Sequence, residues 1–255
     1  MGSKEVKVRN TTLAGGKPTV CSALVGKNEA ELLEQAETVV TKQPDVVEWR
    51  VDFFEKINDF DAVVNTASSL RSKLGDLPLI FTIRSIKEGG QEIPLDERAK
   101  VELLKKVCET KSADLIDYEV ENEKEAIKDI QQAAQHHDVK LILSFHDFNE
   151  TPSEKEMLNK LEKASSYKAD IGKLAVMPNN MSNVLSVLQI TENAHNDLDI
   201  PVITMSMGAD GALTRLVAWK FGSALTFAVG SKSSAPGQIP IEVVKQLEGY
   251  LSDDS

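Results

Sequence analysis

The sequence predicts an α/β fold, a (β/α)8 (TIM) barrel, and three observations carry the prediction. Eight short β-rich apolar runs alternate with longer amphipathic ones along the whole chain. The 255 residues, 41% of them hydrophobic, match the usual length of one such barrel and hold enough apolar material for a large core. Polar residues fall late in nearly every run, where a barrel gathers them at its C-terminal mouth. One catalytic domain spanning 1–255 is expected, without linker, low-complexity tract or short internal repeat.

Residues 1–18 read as a small β-hairpin, turning at Ala14-Gly15-Gly16-Lys17 and closing the bottom of the barrel. Met1 to Asn10 is charged and alternating, unlike a signal peptide. The strands are expected at 19–26, 46–52, 77–85, 114–120, 140–148, 170–178, 200–208 and 224–230, each rich in Val, Ile, Phe or Thr and bounded by Gly, Pro, Asp or Asn. Apolar spacing at i, i+3 and i+4 marks the helices between them. Residues 28–43 put Leu32, Leu33 and Ala36 on one face, and 95–111 turn Val101, Leu104 and Val107 inward. The segment 153–168 begins with Ser153 and Glu156, spaced to satisfy each other's orphan amides as a capping box. A last helix from about Ile241 closes the eighth unit. Strands alternating with helices imply parallel pairing through right-handed crossovers. An open doubly wound sheet could hold the same strands, but no strand-turn-helix junction shows G-x-G-x-x-G.

A net charge of −11 repels phosphate backbones and argues against nucleic acid as a partner. No run approaches the roughly 18 apolar residues of a membrane span. Cys21 and Cys108 lie far apart outside any C-x-x-C pattern, so reduced, buried thiols in a cytosolic protein are expected. His136, His137, His146 and His195 show no metal-ligand spacing, and no metal is expected.

Strand side chains alternate, so residues two apart share a face. Glu48 and Arg50 therefore point the same way, as a buried ion pair or as ligand contacts. Arg84 closes the third run, with Glu88-Gly89-Gly90 just after it, and His146 ends the fifth beside Asp147. A strand-end histidine is either structural or catalytic. Lys173 lies in Ile171-Gly172-Lys173-Leu174-Ala175-Val176-Met177, where an ammonium is desolvated unless paired. Either Glu48 pairs it, or desolvation supplies the neutral amine that imine chemistry requires. Met205 and Met207 share a face as core filler or as the wall of a site. Ser233 to Gln238, with a Pro-Gly turn, is a mobile lid or a polar loop.

Together these segments resemble type I 3-dehydroquinate dehydratase. The matching residues are Glu48 to Asp52, Thr82 to Ser85 with Lys87 to Gly90, Ser144 with His146 to Phe148, Lys173 to Pro178, Ile203 to Gly208, and Ser234-Ala235-Pro236-Gly237-Gln238. They occur in the family's order across the whole barrel. The resemblance implies a cytoplasmic homodimer, free of metal and cofactor, that converts 3-dehydroquinate to 3-dehydroshikimate and water. By matched position Lys173 forms the imine, His146 is the general acid and base, and Glu88 orients and tunes it. Arg215 resembles the residue that binds the substrate carboxylate. Glu48, Arg50 and Arg84 resemble those holding the ring hydroxyls and the ammonium side of the site. Ser234 and Gln238 belong to the closing loop. Ser22, Met205, Met207, Phe227 and Ala235 complete the expected substrate-binding set. Phe145 and Tyr118 depart from the commoner residues, on faces that alternation turns away from the site.

The reaction explains the set. A ketone is a poor electron sink, whereas an iminium acidifies the adjacent C–H and stabilises the enamine that follows. His146, expected to titrate near the working pH, takes that proton and gives one to the departing hydroxyl. Arg215 offers a fork to the carboxylate. A class I aldolase-type barrel would use the same lysine but lacks its phosphate-binding Gly-rich loop here. A silent barrel acting as a binding module would not need Lys173, His146, Glu88 and Arg215 together.

Overall fold

Val, Ile, Thr and Phe fit a pleated surface, and each predicted run forms a strand. The computed structural model describes residues 4–251, so residues 1–3 and 252–255 of the expected 1–255 unit lie outside the described residues. A hairpin of β1 (Val6–Val8) and β2 (Thr11–Leu13) precedes the barrel strands. These are β3 (Val20–Leu24), β4 (Val46–Arg50), β5 (Leu79–Thr82), β6 (Leu115–Glu119), β7 (Lys140–Asp147), β8 (Ile171–Val176), β9 (Val202–Ser206) and β10 (Thr226–Val229). Neighbours from β3 to β9 pair in parallel, and β10 returns to pair with β3. The ring closes between β9 and β10 through a bridge from Val202 to Ser223, where Ala224 N donates to Val202 O at 2.7 Å. A short β11 (Ile239–Pro240) pairs with β10.

Helices α1 (Glu29–Thr41), α2 (Phe60–Leu74), α3 (Glu97–Thr110), α4 (Lys124–His137), α5 (Glu154–Ser166), α6 (Met181–Asp197), α7 (Gly208–Val217) and α8 (Ile241–Leu251) complete the fold. Asn28, Asp59, Asp96 and Asn180 each accept a first-turn amide, and Ser153 with Glu156 forms the expected capping box. Each such cap is worth about 1 kcal/mol.

Alternation sorts the core into two shells. Leu24, Val47, Trp49 and Phe81 face outward and pack with Leu32, Ala36 and Val39 of α1. Cys21, Val46, Ile80, Leu115, Ile142, Ile171 and Ile203 face inward and form a floor, which Val6, Val8 and Leu13 of the hairpin cover from below. The hairpin does close the bottom, but its turn is Arg9-Asn10, because Val8 pairs with Thr11. Ala14-Gly15-Gly16-Lys17 instead links β2 to β3. Its glycine serves close approach, since a Cβ on Gly15 would stand 2.7 Å from Gly222 Cα. Cys21 and Cys108 are buried and free. Among the described residues no helix is long and apolar enough to cross a membrane.

Candidate active site

Above the apolar floor the inward positions turn polar. Glu48 and Arg50 rise from β4, Thr82 and Arg84 from β5 and its exit, Asp117 and Glu119 from β6, Ser144 and His146 from β7, and Lys173 from β8. Registration sets Ser144 opposite both Glu119 and Lys173. Of these side chains, Glu48, Arg50, Arg84, His146 and Lys173 line a pocket at the barrel mouth whose empty space, open solvent included, is about 440 Å³.

Lys173 is buried but paired. Its Nζ donates to Asp117 Oδ2 at 2.8 Å, stands 3.8 Å from Glu48 Oε1 and lies 4.6 Å from the centre of the Phe227 ring. Asp117, not Glu48, is thus the first partner. Glu48 accepts from Thr82 Oγ1 at 2.8 Å. It forms no ion pair with Arg50, whose Nε and Nη2 donate at 2.8 Å to the two oxygens of Asp52. The turn Val51–Phe53 that follows the strand holds Asp52 as a bidentate acceptor for Arg50.

Asp117 also accepts from Arg84 Nη2 at 2.7 Å and Ser144 Oγ at 2.6 Å. Burial alone would raise its pKa, but Arg84 and Lys173 outweigh burial and hold it at about 2. It stays an anion at neutral pH and cannot serve as the base that frees the amine.

His146 Nδ1 lies 2.9 Å from Glu88 Oε2, and the same oxygen accepts the His146 backbone N–H at 3.0 Å. Two contacts to one carboxylate fix both ring and backbone. Burial pushes the imidazole well below its ordinary range, and the cations Arg84, Lys173 and Arg50 add to the fall. The expected titration near the working pH is therefore corrected: the ring is held neutral. Burial pushes Glu88 up to about 8, with Arg84 opposing and Glu119 and Asp117 adding to the rise.

Arg215 reaches the cavity from α7 and is 2% exposed. Its Nη2 donates to Pro236 O at 3.1 Å and its Nη1 contacts Met205 Sδ and Phe227 O at 3.4 Å. Its Nε has no hydrogen-bond partner among the described residues. Among the described residues no acid offsets it, and burial brings its pKa down to about 10, still a cation at neutral pH. The guanidinium is stabilised only by dipoles, which leaves it open to an anion.

The loop 231–238 covers this side. Ser234 N donates to Gln238 Oε1 at 2.9 Å, and Gln238 Nε2 donates back to Ser234 Oγ at 3.0 Å. Pro236 O accepts from Gly208 N as well as from Arg215. Gly237, at φ 74°, lies against Gly208 so closely that a Cβ would stand 2.0 Å from its carbonyl oxygen.

The structure brings Glu48, Arg50, Arg84, Glu88, His146 and Lys173 to the cavity, along with Met205, Met207, Arg215, Phe227, Ser234, Ala235 and Gln238. Ser22 is not among them. It shares the outward face of β3 with Leu24, and its Oγ stands where a Cβ on Gly230 would meet it at 2.4 Å. Sequence reasoning assigned no role to Asp117, Glu119 or Ser144, although Asp117 and Glu119 sit two apart in an apolar strand, as Glu48 and Arg50 do. Phe148 and Ala175 also line the cavity. Among the described residues no group of three or more His, Cys, Asp or Glu could hold a metal ion.

The family model for type I 3-dehydroquinase matches residues 20–254. The chain is 49% identical over 250 residues to a 3-dehydroquinate dehydratase of Albidiferax ferrireducens, covering 98% of this chain and 95% of that protein. The crystal structure of 3-dehydroquinate dehydratase from Geobacillus kaustophilus superposes with a TM-score of 0.96 at 46% identity, covering 99% of this chain and 98% of that one. The type I enzyme from Clostridium difficile, solved with covalently modified comenic acid, superposes with a TM-score of 0.94 at 37% identity and covers 99% of both chains.

Proposed function

The chain belongs to the type I 3-dehydroquinase family, and from that premise we propose that it eliminates water from 3-dehydroquinate, giving 3-dehydroshikimate through an imine on Lys173. One observation of the site carries the reading. A buried lysine and a buried arginine with no acidic partner among the described residues share one cavity with a histidine held neutral. The lysine suits a ketone, the arginine a carboxylate, and the histidine a proton. The aldolase and silent-barrel readings lose their footing, because the matched family is that of the dehydratase.

Lys173 Nζ, once neutral, adds to the ketone, and loss of the former carbonyl oxygen as water leaves an iminium. Asp117, fixed by Arg84 and Ser144, is already placed to face that positive nitrogen as it faced the ammonium. The iminium draws electrons from the neighbouring C–H bond. With Nδ1 donating to Glu88, His146 presents the Nε2 lone pair and takes the proton. The enamine expels the β-hydroxyl, to which His146 returns a proton, and a water hydrolyses the remaining iminium to release enone and amine. Arg215 holds the substrate carboxylate throughout.

The pH profile follows from the dyad. A proton shared by coupled groups leaves the pair as a unit, and here it leaves as pH rises through about 8. The form left behind carries the free Nε2, so kcat/KM is expected to rise with pH to a limb near that value. Glu88→Gln should move the limb down, since the imidazole alone is held well below its ordinary range. A Glu88→Gln profile with the wild-type limb would assign it to another group.

The loop 231–238 closes over the bound substrate. Gln238→Ala removes its bonds to Ser234 and is expected to raise KM by roughly 2- to 10-fold, the worth of one ordinary hydrogen bond. Imine formation should survive. Amide exchange across the loop should slow on adding ligand, and exchange indifferent to ligand would contradict closure. The chain acts as one catalytic domain over 1–255 in the cytoplasm, and as a homodimer, a reading that rests on the family resemblance and that light scattering tests directly.

A further inference from the structure

Behind the general base, three carboxylates surround one guanidinium. Arg84 Nη2 donates to Asp117 at 2.7 Å, while Nη1 donates to Glu119 Oε1 at 3.1 Å and to Ser144 Oγ at 2.9 Å. A terminal guanidinium nitrogen carries two hydrogens, so Glu119 and Ser144 exhaust Nη1. Glu88 Oε2 stands 3.7 Å from that nitrogen, beyond hydrogen-bond reach, and feels only its field. Glu119 Oε1 also accepts the backbone N–H of Ser85 at 2.8 Å. Ser85 opens the turn Ile86–Glu88, which delivers Glu88 to His146. Glu119 itself is 5% exposed and lies outside the cavity lining.

We propose that Glu119 is a positioning residue for the general base: it keeps Arg84 from bonding Glu88, anchors the turn that carries Glu88, and so governs when the Glu88–His146 pair releases its proton. The proposal rests on the reading of His146 as proton shuttle. Its sign depends on the other charges around the pair. Arg50 is matched by Asp52, and Lys173 by Asp117 with Glu48 behind it. Asp147, next along β7, turns its carboxylate to the amides of Asn149 and Glu150. Arg84 is the cation nearest Glu88, and Asp117 and Glu119 are the anions that offset it. With Glu119 neutral, more of Arg84's charge reaches Glu88, and the carboxylate is favoured.

Glu119→Gln keeps an oxygen for the Ser85 amide and removes only the charge. The limb of kcat/KM against pH should fall by about one pH unit, the scale of one charge at this separation in a partly buried site. Glu119→Asp keeps the charge on a shorter arm and should leave the limb in place while slowing turnover. Borohydride trapping on Lys173 in both variants keeps the two readings apart. If the wild type traps elsewhere, the imine assignment fails. If trapping persists while the Glu119→Gln limb stays put or rises, or if the Glu119→Asp limb moves, the role given to Glu119 is overturned. Should Glu119→Gln not fold, Glu119→Ala, which also removes the charge, takes its place: its limb should fall, and a limb that stays put or rises overturns the role.

Discussion

Lys173→Ala is expected to lose turnover by on the order of 10⁶, the scale seen when a covalent nucleophile is removed. No other cavity residue can replace it, because the remaining cations on the lining, Arg50, Arg84 and Arg215, are guanidiniums that cannot form an imine. The fold should survive. Asp117 keeps Arg84 at 2.7 Å and Ser144 at 2.6 Å, so it is not left as an unpaired buried anion. Borohydride with 3-dehydroquinate should add one ligand mass to the wild-type peptide bearing Lys173 and nothing to the variant. A label on Lys232, exposed on the covering loop, would sink the assignment.

His146→Ala should separate capture of the ketone from proton transfer. General acid–base groups contribute about 10² to 10⁴ in rate, and one ring serves several steps here, so a loss at or beyond the upper end is expected. The variant should accumulate an adduct that borohydride traps on Lys173, with little enone absorbance. Imine formation is expected to slow as well, since it too moves protons. A variant that eliminates water at near the wild-type rate would falsify the role, leaving Glu48, Glu88 or solvent as the base.

The strands were legible because two signals agreed at each. Val46–Arg50 and Ile171–Val176, for example, combine β-branched content with a bounding proline or aspartate. Lys173 stood out as a charge that an apolar strand does not explain and His146 as a histidine at a strand end, whereas Arg215 came only from the family resemblance. Partner choice was not legible. Lys173 on β8 bonds Asp117 before Glu48 because β6 lies two strands away in the ring and β4 four, and no single strand encodes that placement. Asp52 took Arg50 from Glu48 because a short turn follows β4, which alternation cannot foresee. Ser22 failed by one residue of parity. Cys21 beside it belongs to the inner face, so alternation turns Ser22 outward.

The seam at β9 and β10 bears on how the chain is made. β3 finds its second neighbour only when Thr226, Phe227 and Ala228 arrive to face Val20, Cys21 and Ser22. At ribosomal speeds those about 200 intervening residues take roughly 10 to 40 seconds. Throughout that interval the nascent ribbon has two open rims, β3 at one side and the newest strand at the other, and such rims recruit strands from neighbouring chains. The segment 223–229 removes both, by the ladder of β10 to β3 on one side and the Val202–Ser223 bridge just before β10 on the other. The segment that completes the barrel is also the one that leads into the covering loop, so a chain released before it is made is both inactive and the form most open to aggregation.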